Sequence, residues 1–215
     1  MSNRNKNHRF IFYYGIIGVI SLVAIVFINT SAFAYGLGLS AYPLSNVSKR
    51  GIITTELTEF LSDETGVGLQ ARYLRKINPS LALEANGGVS NTNRSKRIGL
   101  AANFDVYNIG PHFLLRPYYE RANEFFTVKH IFGVSPILTL SYAQEPLIGY
   151  PFVSLPISAA LDSDTHSYEM RYVLSAGINR KFFFYPDNKM LLNLEVNINL
   201  KNSLSAFFIG VSTQL

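Results

Sequence analysis

Along residues 190–201 apolar and polar side chains alternate with a period of two. Met190, Leu192, Leu194, Val196, Ile198 and Leu200 share one face, and Leu191, Asn193, Glu195, Asn197, Asn199 and Lys201 share the other. A helix would scatter both sets around its surface, whereas an extended strand separates them. The period recurs. Tyr168, Met170, Tyr172, Leu174, Ala176 and Ile178 oppose Glu169, Arg171, Val173, Ser175 and Gly177. Ile98, Leu100, Ala102, Phe104 and Val106 oppose Gly99, Ala101, Asn103, Asp105 and Tyr107. Leu81, Leu83, Ala85 and Val89 alternate with Ala82, Glu84, Asn86 and Gly88, and Val67, Leu69, Ala71 and Tyr73 with Gly68, Gln70, Arg72 and Leu74. Each run approaches the roughly 9–11 residues with which a tilted strand crosses a bilayer.

Turn-forming residues separate the runs: Asn78-Pro79-Ser80, 91–96, Asn108-Ile109-Gly110-Pro111, Asp162-Ser163-Asp164, Tyr185-Pro186-Asp187-Asn188 and Lys201-Asn202-Ser203. Connections this short join antiparallel hairpins and leave no room for crossover helices. In lipid, each unpaired edge N–H or C=O costs several kcal/mol, so a membrane-inserted meander must close on itself. The expected fold is therefore all-β: a closed, antiparallel, up-and-down transmembrane β-barrel. Strands are predicted at 67–77, 81–90, 97–107, 112–122, 167–183, 189–200 and 204–215. Residues 125–161 are too apolar for a solvated loop and supply two more, up to about Tyr142 and from about Tyr150 to Leu161, around a turn at Gln144-Glu145-Pro146. Pro136, Pro151 and Pro156 oppose that reading, because proline donates nothing to a ladder. The first strand is either Tyr35–Tyr42 or Gly51–Leu61. An even total is expected, ten strands, with eight as the alternative.

The amino terminus carries a different signal. Arg4, Lys6 and Arg9 precede an apolar stretch, Phe10–Ile28, and small residues at Ala32 and Ala34 follow. That order reads as a secretory signal peptide over 1–34, cleaved after Ala34 to leave a barrel domain over 35–215; an uncleaved anchor is the rival reading. Three of the 19 basic residues and none of the 14 acidic ones fall in 1–34, so cleavage takes the formal charge from +5 to +2. The basicity belongs mostly to the address, which removes the main support for a nucleic-acid partner. Charged residues are only 15% of the chain and aromatic ones 13%, a balance suited to a partly lipid solvent. With no cysteine, thiolate metal sites, disulfides and cysteine nucleophiles are excluded.

The chain stops on an apolar residue inside an alternating segment, with Phe207, Ile209, Val211, Thr213 and Leu215 on one face and Phe208, Gly210, Ser212 and Gln214 on the other. Here the sequence resembles the outer-membrane β-barrel proteins of Gram-negative bacteria. Gly210 and Leu215 stand where that family's C-terminal insertion signal places a glycine and its terminal apolar residue. Leu215 replaces the commoner phenylalanine, and Thr213 departs from the preferred aromatic. The resemblance implies integral insertion into the cell outer membrane, with its lipid and the barrel-insertion machinery as partners.

If the greasy faces look outward, the enclosed faces carry Arg72, Glu84, Asn103, Asp105, Arg116, Glu169, Arg171, Glu195 and Lys201 as a polar lumen network. Both signs are present, so the interior is either a narrow passage or a plug of ion pairs, and buried charges persist when paired. Asp162, Asp164 and His166 form one local cluster that could serve a rim hydrolase acting on lipid or peptide, although Asp, Ser and Thr are also what a turn prefers. No cofactor motif or metal site is present. Tyr118, Tyr119, Tyr142, Tyr150, Tyr168, Phe182, Phe183, Phe184 and Tyr185 fall near expected strand ends, where aromatic girdles form. The expected function is a small outer-membrane barrel of structural, adhesive or narrow-pore role without catalysis. The alternatives are the rim hydrolase and a periplasmic soluble β-barrel carrier, whose apolar faces would point inward.

Overall fold

The computed structural model describes Leu44, Val47 and residues 51–61, 65–93, 96–107, 111–140, 149–181 and 190–215. The expected signal segment with Ala32 and Ala34, and the alternative first strand Tyr35–Tyr42, lie outside the described residues. Strands run in order as β1 (Ile52–Phe60), β2 (Gly66–Asn78), β3 (Leu81–Ser90), β4 (Lys96–Tyr107), β5 (Pro111–Glu124) and β6 (Thr127–Leu140). They continue as β7 (Tyr150–Ser154), β8 (Ile157–Asp162), β9 (Tyr168–Lys181), β10 (Met190–Lys201) and β11 (Ala206–Gln214). Each pairs antiparallel with its neighbours, and β11 returns to pair with β1 from Ile52↔Gln214 to Phe60↔Ala206. No edge is left open.

β7 and β8 both lie between β6 and β9 and form one stave, interrupted at Leu155-Pro156. The barrel therefore has ten staves. The ladder is carried across the break by two backbone bonds, from Leu155 N to the Pro136 carbonyl (3.3 Å) and from Val173 N to the Pro156 carbonyl (3.1 Å). Pro136 and Pro151 remain inside β6 and β7, where their carbonyls also accept from Ser154 Oγ (2.7 Å) and Thr139 Oγ1 (3.1 Å). Only Pro156 interrupts a strand. Gly51–Leu61 supplies the first strand, and β5 runs two residues past the expected 122.

Strand stagger follows from the register. Leu192 pairs with Arg180 on one side. Followed the other way, the rung passes through Val211, Thr55, Ala71, Gly87, Ile98, Arg121, His130 and Leu161, and meets β9 at Tyr168 instead. Such a displacement is the shear of a barrel whose strands tilt.

The parity of the alternation now has a direction. Ile53, Leu69, Leu83, Ile98, Leu100, Phe132, Leu138, Val196, Ile198 and Ile209 are exposed on the outer wall, while Glu56, Gln70, Arg72, Glu84, Arg116, Asn193 and Glu195 are buried inside. A soluble carrier needs the reverse, so its arrangement is not the one adopted.

The interior is packed by large residues laid across glycines. Tyr118 faces Gly133 on β6, Phe152 faces Gly177, Glu120 faces Gly99 and Glu56 faces Gly210, each as a direct cross-strand pair. A Cβ built on Gly133 would meet the Tyr118 ring, and one on Gly99 would come within 2.8 Å of Glu120 Cγ. Replacing Gly133 with leucine is therefore expected to cost roughly 1–3 kcal/mol by overpacking. Adding Tyr118→Ala should recover most of that loss, giving a large coupling in a double-mutant cycle read by urea unfolding of the lipid-reconstituted chain. Additive effects would mean that the ring does not occupy the glycine's space.

Candidate functional site

The enclosed volume is layered along the barrel axis. The end where β1 begins and β11 finishes is here called the terminal end, and the opposite one the far end. Toward the terminal end the inward positions become apolar: Ile52, Leu74, Ala82, Leu114, Ile137, Phe152 and Leu191 form a ring, and Leu44 and Val47 pack against it, both buried. The Leu44 carbonyl accepts from Lys76 Nζ at 2.7 Å and from Val47 N at 3.3 Å, which ties Leu44 to Val47 and to β2. Ten staves enclose more width than the eight that side chains alone just fill. Leu44 and Val47 take up part of that extra width.

The middle layer is ionic. Arg116 Nη2 donates to Glu84 Oε1 at 2.6 Å, and Asn103 Nδ2 donates to Glu84 Oε2 at 3.4 Å. Arg72 Nη2 donates to both oxygens of Glu56 at 2.8 Å, and the Gln70 amide donates to the same carboxylate. Toward the far end Arg97 bridges Glu120 (2.9 Å) and Glu124 (2.7 Å), and Arg171 grips Glu124 at 2.7 and 3.0 Å. Arg171 also pairs with Glu169, which Lys129 reaches at 3.2 Å. On the β9–β11 side, Ser175 Oγ donates to Glu195 Oε1 at 2.7 Å and Asn193 Nδ2 to Ser212 Oγ at 2.7 Å.

Taking charges out of water costs several kcal/mol each, and only close, multiply bonded partners offset that. Arg116 and Glu84 meet this condition with both side chains almost wholly buried. Two apolar patches flank the layer at the far end, Phe60 with Leu204, Ala206 and Phe208 on one side, and Ala122 with Ile131 and Ala160 on the other. Among the described residues the lumen thus carries an apolar layer, an ionic layer and two apolar patches in turn.

Of the residues expected inside, Arg72, Glu84, Asn103, Arg116, Arg171 and Glu195 are buried there, and Glu169 is half-buried beside Arg171. Asp105 is also enclosed but stands apart from the central pairs, bonded to His112 Nδ1 at 3.1 Å. Lys201 is corrected: a register shift between Asn199 and Lys201 breaks the parity of β10, and Lys201 is exposed at the strand's end. Glu56, Arg97, Glu120, Glu124 and Lys129 were missed. Glu120 and Glu124 share the parity of Arg116, so extending the alternation of β5 would have found them. Glu56 was hidden by the open choice of first strand.

Asp162, Asp164 and His166 are brought together as a turn. Asp162 Oδ1 accepts the backbone N–H of Asp164 (2.9 Å) and of Thr165 (3.1 Å), and Oδ2 accepts from Thr127 Oγ1 (2.9 Å). His166 is exposed with φ 55° and donates its backbone N–H to the Asp162 carbonyl at 3.1 Å. The carboxylate is occupied in holding the loop rather than aimed at the imidazole.

Gly210 faces inward beneath Glu56, and Leu215 is exposed, its N–H bonded to the Gly51 carbonyl at 3.0 Å. Among the girdle residues, Tyr119 and Tyr168 face outward, while Tyr142, Phe182, Phe183, Phe184 and Tyr185 lie outside the described residues. Tyr118 is a correction. It turns inward over Gly133, with the Arg116 guanidinium 5.3 Å from its ring centroid.

No family model and no curated protein matches the chain. Among solved structures it is similar to the solution NMR structure of the de novo designed TMB2.3, at 14% identity and a TM-score of 0.37, covering 79% of this chain and 97% of that one. It is also similar to KdgM porin at 9% identity and a TM-score of 0.39, covering 77% and 98% respectively.

Glu84→Gln should destabilise the barrel by about 3–5 kcal/mol, because Arg116 would keep its charge with its main partner gone. Replacing both residues with methionine is expected to cost clearly less than the single change. Urea unfolding in lipid measures both, and equal losses in the two variants would show that the pair is not energetically coupled.

Proposed function

We propose that the chain is a small integral β-barrel of the Gram-negative outer membrane, with a closed lumen, serving a structural or adhesive role without catalysis. The observation that carries this reading is what the interior holds: an ionic layer anchored by Arg116–Glu84 and Arg97–Glu124, with Leu44 and Val47 packed on an apolar ring at the terminal end. Free passage of solutes needs a continuous wet channel, and buried, mutually bonded side chains within the lumen support a closed one. Membrane residence is supported by the outward apolar faces on a sheet with no open edge, the geometry that satisfies backbone polar groups in lipid. An export segment over 1–34 and a terminal signal read at Gly210 and Leu215 would deliver the chain to the outer membrane through the barrel-insertion machinery. The absence of catalysis is supported by the Asp162 carboxylate, whose hydrogen bonds are spent on the turn and on Thr127.

Two measurements test this reading. The full chain should migrate faster unheated than boiled in detergent gels, as a folded barrel does, and should add no discrete conductance steps to a planar bilayer in concentrated KCl. Steady open-channel steps would replace the closed lumen with a narrow pore, and identical mobility before and after boiling would remove the membrane barrel itself. For catalysis, phospholipid and peptide turnover by the purified chain is expected to stay at background and to be unchanged by His166→Ala. Turnover lost in that variant would restore the rim hydrolase.

A further inference from the structure

The outer wall is not uniform. Between β1 and β5 its surface sinks into a groove of about 540 Å³, floored by the small residues Ala71, Ala85 and Gly87 and walled by Tyr73, Ile98 and Leu100. Ala71 and Gly87 of the floor share one rung of the register with Ile98 of the wall, and the next position on that rung is Arg121, followed by His130; Ala85 lies on another rung, between Tyr73 and Leu100. Arg121 and Lys96 are both exposed, and Lys96 sits opposite Asn123, diagonal to Arg121 at the far-end start of β4. His130 completes the patch, its Nδ1 2.7 Å from the Tyr119 hydroxyl, and the Tyr119 and His130 rings are stacked 6.0 Å apart. The outward parity of β3 to β6 carries no carboxylate among the described residues, in contrast to the lumen, where arginines are matched with glutamates.

We propose that this wall holds an anionic phosphorylated lipid of the surrounding leaflet, its headgroup on Lys96, Arg121 and His130 and an acyl chain in the groove beneath. The inference rests on the membrane-embedded reading above. Two independent features meet in it. Cations at the boundary of the apolar band attract an anionic headgroup through a Coulomb term that is undiminished by any acid on the same face, and each contributes separately. The groove shares its Ala71–Gly87–Ile98 rung with Arg121, and an acyl chain fills its apolar concavity. Free phosphate would satisfy the cations alone and gain nothing from Ala71 and Gly87. Lipid engages both.

The test uses the full chain, folded in a neutral detergent and titrated with phosphatidylglycerol, phosphatidylethanolamine or inorganic phosphate, with retained ligand read by native mass spectrometry. Phosphatidylglycerol is expected to be retained in preference to the other two. Each cation at the interface is worth about five-fold in anionic-lipid binding, so Lys96→Gln with Arg121→Gln should weaken retention about 25-fold. Ala71→Leu, which fills the groove and leaves every charge in place, should also abolish the preference while keeping the heat-dependent gel mobility of the folded barrel. Equal retention of the two lipids, binding of phosphate as tight as that of phosphatidylglycerol, or an unaffected Ala71→Leu variant would each overturn the proposal. Loss of the gel shift in the parent chain would instead overturn the membrane barrel, so the two failures are read separately.

Discussion

Pairing of β11 with β1 is the contact on which the rest of the molecule depends. With apolar faces turned outward, any unpaired strand would present its N–H and C=O groups to hydrocarbon, where no donor or acceptor is available. The rungs from Ile52↔Gln214 to Phe60↔Ala206 remove that cost for both strands at once. Closure also encloses a volume that is out of reach of bulk water, and this is what makes the inward side chains interdependent. Glu56 lies on the closing strand itself, where it accepts from Arg72 and rests on Gly210 of β11, so the seam and the ionic layer are built from the same residues.

Width then dictates composition. A ten-stave barrel leaves more interior than short side chains can fill, and a void in that interior would forfeit the dispersion contacts of every residue around it. Long residues laid across glycines solve this locally: Tyr118 over Gly133, Phe152 over Gly177 and Glu120 over Gly99. Arginine fills the remainder, since its guanidinium reaches carboxylates on nearby staves, and in Arg171–Glu124 from β9 to β5, and binds them in a forked geometry. At the terminal end arginine gives way to aliphatic and aromatic residues, Phe152 over Gly177 among them, and Leu44 and Val47 complete the packing from outside the strand repertoire.

Much of this was readable from residue order, because a period of two states which side chains share a face and hydrogen-bonding in lipid states that the sheet must close. Facing was legible even where boundaries were not, as with Arg72, Glu84 and Arg116. What escaped has physical causes. The alternation cannot reveal a bulge, so the period alone puts Lys201 inside although the shift after Asn199 turns it out. Tyr118 was assigned to a girdle by its nearness to a strand end, yet it has the parity of Arg116 and lies inside. The contribution of Leu44 and Val47 has no periodic signature at all, because two residues outside the strands show no repeat.

Alternation also leaves one quantity undetermined. A slip of one residue between strands would turn every apolar side chain inward, but a slip of two restores the same faces and costs the hydrophobic pattern nothing. Something else must fix the register, and the buried pairs are placed to do so. Moving β5 by two residues along β4 would take Glu120 off Gly99 and set either the larger Tyr118 or the smaller Ala122 in its place, while separating Arg97 from one of its two carboxylates. Stranding a buried charge is among the costliest single errors a fold can make, and pressing a large side chain against one that is not glycine adds overpacking. The ion pairs and glycine seats of the lumen therefore act less as a source of net stability than as a penalty on every even-numbered misregister. On this account the polar interior is what lets a chain of repetitive greasy strands find one barrel.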